Sequence, residues 1–151
     1  MRSRFGVSLI TVESAIAGPF NGLAGRWSGN GVLHRSSSQS ERLRCLADYD
    51  VAQNGAQLSL RIRCATESYK LDLTGYIINS GGAISGQWSE PNYNSAGTLT
   101  GRASDGHINA NAIGNTFFAF LSVTTRGKQQ SIAIRPQATD VTRVLLALRK
   151  N

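Results

Sequence analysis

The chain is short of nearly everything that enzymatic chemistry or membrane insertion requires. Its 151 residues include two histidines, two cysteines, one methionine and three prolines. It holds no uninterrupted apolar run of the roughly 18 residues that a membrane helix needs, so no transmembrane segment is expected. No Gly-x-Ser-x-Gly elbow presents a nucleophile, and no glycine-rich phosphate loop precedes a helix. Two cysteines with no histidine beside them supply too few ligands for a metal, and no cofactor is implied. His34 and His107 are isolated, and His107 directly follows an Asp105-Gly106 turn, where solvent satisfies it. Asp48 and Asp50 share a strand face, but Asp48 falls opposite Arg61, and a paired, ionised acid is a poor general acid. No catalytic residue is assigned, and the chain is expected not to be an enzyme.

What remains is the material of a β protein. Apolar residues make up 40% of the chain, enough for one core, and 16 glycines against 3 prolines point to many tight turns. Short apolar alternations are separated by Ser, Thr, Asn and Gly, and no helical period of useful length intervenes. Residues 41–51 and 57–64 alternate on either side of Gln53-Asn54-Gly55-Ala56, and Asn-Gly is the strongest short hairpin signal. With Asn54-Gly55 as a two-residue loop, Cys45 lies opposite Cys64, Asp48 opposite Arg61 and Arg42 opposite Glu67. Leu43, Cys45, Ala47, Tyr49 and Val51 then share a face with Leu58, Leu60, Ile62 and Cys64. Opposed positions sit within disulfide reach, so a Cys45–Cys64 bridge is expected; two reduced, buried thiols are the alternative.

The same register argument extends downstream. Asp105-Gly106 joins 97–103 to 107–112 and sets Gly101 opposite Ala110. Gly114-Asn115 leads into 116–125, setting Ala110 opposite Ala119, and Arg126-Gly127 leads into 128–135, setting Leu121 opposite Ile132. Parity points Leu99, Gly101, Ala103, Ile108, Ala110, Ala112, Phe117, Ala119, Leu121, Val123, Ile132 and Ile134 inward. Further strands are expected at 26–35, 69–78, 83–89 and 141–149. About eight to ten sequential antiparallel strands form an up-and-down meander, which closes on itself to remove its edges.

Charge is high but dispersed. The net charge is +7, and 13 of 16 basic residues are Arg, which permits nucleic acid, an anionic membrane surface or acidic glycans as partners. Arg42, Arg44, Arg61 and Arg63 fall near Asp48, Asp50, Glu67 and Asp72, which reads as a mixed, solvated face. The start, Met1-Arg2-Ser3-Arg4 followed by an apolar stretch, has the form of a truncated secretion signal with Ala15-Ile16-Ala17 as cleavage site. Glu13 interrupts it, and a loosely docked arm is the other reading. Residues 1–24 are therefore an N-terminal arm or remnant signal, and 25–151 a single β-barrel domain. With the disulfide, this places the protein in the periplasm or outside the cell, which argues against nucleic acid.

Gly25-Arg26-Trp27 opens the first strand, and Gly86-Gln87-Trp88 repeats the pattern. In that context the chain resembles the calycins, the superfamily of lipocalins and avidins, whose first strand carries Gly-x-Trp. The resemblance implies a small ligand-binding barrel in which an Arg late in the last strand packs over the Trp; Arg149 is the positional candidate. A lipocalin Thr-Asp-Tyr motif and an avidin-like biotin pattern are both missing. From Gly22 onward the chain also resembles small secreted bacterial proteins, a likeness that implies export and no particular activity.

The functional expectation is an apolar or amphiphilic small molecule held in the interior, with Trp27, Tyr49, Tyr69, Trp88, Leu99, Phe117, Leu121 and Ile132 as lining candidates. Small inward residues leave either a cavity or a flattened, tightly packed barrel. The competing expectation is a structural or interaction module with a packed interior. Parity sends Phe118 and Phe120 outward, opposite Asn111 and Asn109, where an N-terminal arm carrying Ile16, Pro19, Phe20 and Leu23, a homodimer or a protein partner would cover them. A register error placing both in the core is the alternative. Tyr76 and Ile78 also face outward.

Overall fold

A computed structural model describes residues 18–67, 69–137 and 139–151; the proposed signal segment and Ile16 lie outside them. The described residues form ten antiparallel strands: β1 (Gly25–Arg35), β2 (Ser40–Ala52), β3 (Gln57–Ala65), β4 (Lys70–Ser80), β5 (Ala83–Glu90), β6 (Ser95–Ser104), β7 (His107–Gly114), β8 (Phe118–Arg126), β9 (Gln129–Gln137) and β10 (Val141–Lys150). Each pairs with the next, and β10 pairs with β1, from Trp27 opposite Lys150 to Leu33 opposite Val144. The meander is thus a closed barrel without free edges. No helix among the described residues is long and apolar enough to cross a membrane.

Cys45 faces Cys64 as the alternation requires, with Cα atoms 4.2 Å apart and a disulfide between them. The connection is longer than a two-residue loop, however. Gln53–Gly55 forms a 3₁₀ turn and Ala52 pairs with Gln57, so two residues are added symmetrically and the register is unchanged. This ladder ends at Arg44 opposite Ala65. Arg42 therefore faces Val32 on β1 and does not meet Glu67. Asp48 is opposite Arg61 as expected, yet its ion pairs go to Arg26 (2.9 Å) and Arg63 (3.6 Å), while Arg61 reaches Asp72 at 2.9 Å. Asp48 stands directly opposite Arg26 on β1 as well, and that nearer guanidinium takes its carboxylate.

The β6–β7 hairpin turns at Asp105-Gly106, both at positive φ, and sets Gly101 opposite Ala110. The next two registers differ from expectation by two residues. Ala110 faces Leu121 and Leu121 faces Ile134. Gly114 does not form the turn: it stays in β7, where a Cβ would come within 2.7 Å of the Trp88 ring. Its glycine provides space for Trp88, and the chain reverses over 115–117. At the following turn Gly127, at φ +59, takes the first central position, which admits only residues tolerant of positive φ. Shifts of two keep parity, so every residue expected inward is on the inner face.

Residues 18–24 close the end of the barrel where the chain enters. The Gly18 amide donates to the Asn54 carbonyl (2.8 Å) and the Phe20 amide to that of Gly55 (3.2 Å). Phe20 is wholly buried, and Leu23 and Trp27 are buried with it in the core. Phe20 and Leu23 are therefore part of this plug and do not cover Phe118 and Phe120. Burying Phe20 and Leu23 contributes about 1.5–3 kcal/mol each.

Candidate functional site

Trp27 anchors the plugged end. Its Nε1 donates to the Leu23 carbonyl at 2.8 Å, and its ring meets Tyr49 edge-on with centroids 6.2 Å apart. Lys150, directly opposite Trp27, holds its Nζ 5.8 Å from the ring centroid. Arg149 points outward opposite Ser28, so the cation over the Trp is Lys150 and the expected Arg149 contact is not made. Tyr49 donates to Gln130 Oε1 at 2.7 Å, and Gln130 Nε2 donates to Thr125 Oγ1 at 3.0 Å. Burial pushes the Tyr49 phenol well above its ordinary value, only partly offset by the Gln130 bond. Ile132 is buried in the same core.

Beyond this plug the inner wall is incompletely covered. Strand pairing puts Leu60, Ile62, Leu71, Leu73, Leu121 and Ile134 on the same inner face as the buried Cys45–Cys64 disulfide, yet all six keep accessible surface. All six are partly buried and pack against the buried core. Gly75, Gly97, Gly101, Ala110 and Ala112 lie on this same face; a Cβ at Gly97 would come within 1.8 Å of the Ile113 carbonyl oxygen and one at Gly101 within 2.1 Å of that of Asn109, so these two glycines allow close strand approach.

The far end carries aromatic and polar groups. Trp88, nearly buried, meets Phe117 edge-on at 5.8 Å and donates Nε1 to the Thr98 carbonyl at 3.0 Å. Tyr69 stacks on Tyr93 with centroids 5.2 Å apart. Burial is the main cause that raises the Tyr69 hydroxyl above its usual range, with Tyr93 and Glu90 adding to it and Arg35 opposing. Glu90 is buried; its carboxylate accepts from the amides of Asp72 and Tyr93 and from Asn92 Nδ2, and so pins the Pro91–Tyr93 turn that carries Tyr93. Arg35, at the end of β1, gives Nε (3.0 Å) and Nη2 (2.8 Å) to Glu41 and Nη1 (2.9 Å) to Asp140. Two carboxylates on one guanidinium leave no spare cation there. The arrangement suits an apolar body with hydrogen-bonding ends better than a free anion.

The lining candidates thus divide. Trp27, Tyr49 and Ile132 belong to the plugged end and its core; Trp88 and Leu99 are nearly buried; Tyr69, Phe117 and Leu121 are half-buried. Sequence reasoning missed Arg35, Glu41, Glu90, Tyr93 and Gln130. For all but Tyr93 the signal existed, since extending inner parity to the strand ends places a polar residue inward at each. Phe118 and Phe120 face out, edge-on at 5.1 Å, opposite Ile113 and Asn111 and not Asn111 and Asn109. Tyr76 and Ile78 are exposed on β4. No group of three metal-ligating side chains occurs among the described residues.

No protein-family model matches the chain. No curated protein matches it either. Among solved structures, Rv2717c from M. tuberculosis is similar over 98% of this chain and 99% of its own, with TM-score 0.68 and 11% identity. The S-type phycobiliprotein lyase CPES from Guillardia theta is similar over 98% of this chain and 94% of its own, with TM-score 0.63 and 11% identity. Both are ten-stranded antiparallel barrels, and the likeness over nearly the whole chain is one of fold.

Proposed function

We propose that this protein is an extracytoplasmic, calycin-like barrel that binds one apolar or amphiphilic small molecule and does no chemistry on it. The observation that carries the reading is the half-buried apolar inner wall, Leu60, Ile62, Leu71, Leu73, Leu121 and Ile134, above an end sealed by Phe20 and Trp27. An apolar surface that the protein does not cover itself is stabilised by a ligand that does. Tyr69, Tyr93 and the Arg35 cluster supply hydrogen-bonding groups at the far end. The disulfide supports export. The likeness to a phycobiliprotein lyase makes a bilin-type molecule the first ligand class to try.

Tryptophan fluorescence tests this. Trp88 lies beside half-buried Phe117 while Trp27 is sealed in the plug, so a bound chromophore quenches Trp88 more strongly. Titration with a bilin, haem, a fatty acid and a retinoid is expected to give one saturable quench that Trp27→Phe keeps and Trp88→Phe largely loses. A ligand at a hundred times its Kd adds about 2.7 kcal/mol of stability, visible as a raised Tm. If the whole panel moves neither the emission nor the Tm, and native mass spectrometry of gently purified protein shows no retained small molecule, the reading fails.

A further inference from the structure

The outer wall of the barrel carries its acids unevenly, with Asp48, Asp50 and Asp72 on β2 and β4. On β1 to β4 acids meet part of the outward arginines: Asp48 bonds Arg26 and Arg63, and Asp72 bonds Arg61, while Arg42 and Arg44 on β2 are exposed with no ion-pair partner among the described residues. From Ser95 to the C-terminus the only acids are Asp105 and Asp140, and both sit in turns at the barrel ends. Arg102, Arg126, Arg135, Arg143 and Arg149 are exposed on the strands between, with no ion-pair partner among the described residues.

The same wall exposes large apolar side chains: Ile113 at 49%, Phe120 at 47% and Leu145 at 38% of their full surface. Phe118 pairs with Ile113 at the far end, and Phe120 stands beside Arg135. A shallow depression of about 510 Å³ runs across this surface, with Asn109, Asn111, Phe120, Ser122 and Arg135 among its lining and Ala110 and Leu121 at its floor. Phe117 and Phe118 straddle the rim, one turned inward and one outward.

We propose that the β7–β10 wall docks on an anionic phospholipid bilayer. Unpaired arginines are drawn to an anionic surface, and projecting Phe, Ile and Leu side chains enter the headgroup boundary. Single-stranded nucleic acid fits less well. Ile113 and Leu145 offer no ring to a base, and one face of the Phe118–Phe120 pair is taken up by their edge-to-face contact at 5.1 Å. Docked this way, the rim at Phe117 and Phe118 lies at the membrane surface, where an amphiphile could pass into the barrel. The contact itself does not depend on the interior holding a ligand.

The test is flotation of the full chain with phosphatidylcholine vesicles, with and without about one-third phosphatidylglycerol. Binding is expected only with the anionic lipid and is expected to weaken at high salt. Phe118→Ser with Phe120→Ser, and separately Arg135→Glu with Arg143→Glu, should each lower the partition coefficient tenfold or more while the far-UV spectrum stays unchanged. Tyr76→Ser with Ile78→Ser, an exposed pair on β4, should leave partitioning as it was. Equal binding to neutral vesicles, unchanged partitioning of both face variants, or equal loss in the β4 variant overturns the proposal. So does oligo(dT) binding through the same arginines that outcompetes the vesicles.

Discussion

Replacing Cys45 and Cys64 by alanine, or reducing the bond, should destabilise the barrel without changing it. The two positions face each other in the β2–β3 ladder and their Cα atoms are 4.2 Å apart, so the strands are already held together by backbone hydrogen bonds. The bond's contribution therefore acts mainly through the unfolded chain, where it closes a loop with a sequence separation of 19. The chain-entropy model puts that at about 3 kcal/mol. For a chain of this size each kcal/mol moves the midpoint by about 2–4 °C, so the expected fall in Tm is about 6–12 °C. Scanning calorimetry of the oxidised protein, the reduced protein and the double alanine variant measures it, with far-UV circular dichroism as the check on fold. Both cysteines are buried, so reduction should need the protein to open first. A variant with an unchanged midpoint would refute the loop-closure argument. A variant that lost its β spectrum would show that the bond is required for folding.

Two further outcomes follow from buried and paired polar groups. Tyr49→Phe removes the donor to Gln130 and leaves a buried amide oxygen unmatched, which should cost about 1–3 kcal/mol in denaturant unfolding; a neutral result would mean water replaces the phenol. In acid, Asp48 is held low chiefly by Arg26, Asp72 by Arg61, and Asp140 by Ser36 and then Arg35. Their folded values lie below the ordinary 3.8, so their stabilisation is full above that pH and is lost as pH falls through the folded values. A thermal midpoint that is flat above that point, declines below it and is less pH-sensitive in high salt is expected, the pairs being exposed; a decline centred in the histidine range would assign it to other groups.

The fold was legible because register and alternation constrain each other. Cys45 opposite Cys64 followed from one Asn-Gly centre, and remained true although the loop holds four residues, because both additions were symmetric. Gly114 and Gly127 show where such reasoning stops. A glycine in a turn-like context signals either positive φ or a lack of space, and sequence does not say which. Gly114 is small because Trp88 occupies the place of its Cβ, and Gly127 takes the turn one position earlier than expected. The site was less legible. Leu121 and Phe117 were placed inward by parity, but Arg35, Glu41, Glu90 and Gln130 are polar, and polarity at a strand end reads as solvent exposure. Tyr93 sits in an irregular turn fixed by the buried Glu90 carboxylate, a contact with no sequence period at all.

Whether the interior is a cavity or a packed core decides between the two readings of this barrel, and Leu121→Phe separates them. An eight-stranded barrel is about wide enough for its own side chains to fill, and diameter grows roughly linearly with strand number. Ten strands enclose more space than eight, and Ala110 and Ala112 present small side chains to it. The protein seals one end with Phe20, Leu23 and Trp27, and Leu121 is partly buried against the core, opposite Ala110 and Ile134. In a packed core the larger ring would force its neighbours off their rotamers at a cost of about 1–3 kcal/mol. In a cavity the ring has room, covers apolar wall and should leave stability unchanged or raise it, while weakening any interior ligand by occupying its place. Denaturant unfolding and ligand titration of the same variant read both effects. Destabilisation of more than about 1 kcal/mol with no change in ligand response would mean that the interior is filled and that the ligand reading is wrong.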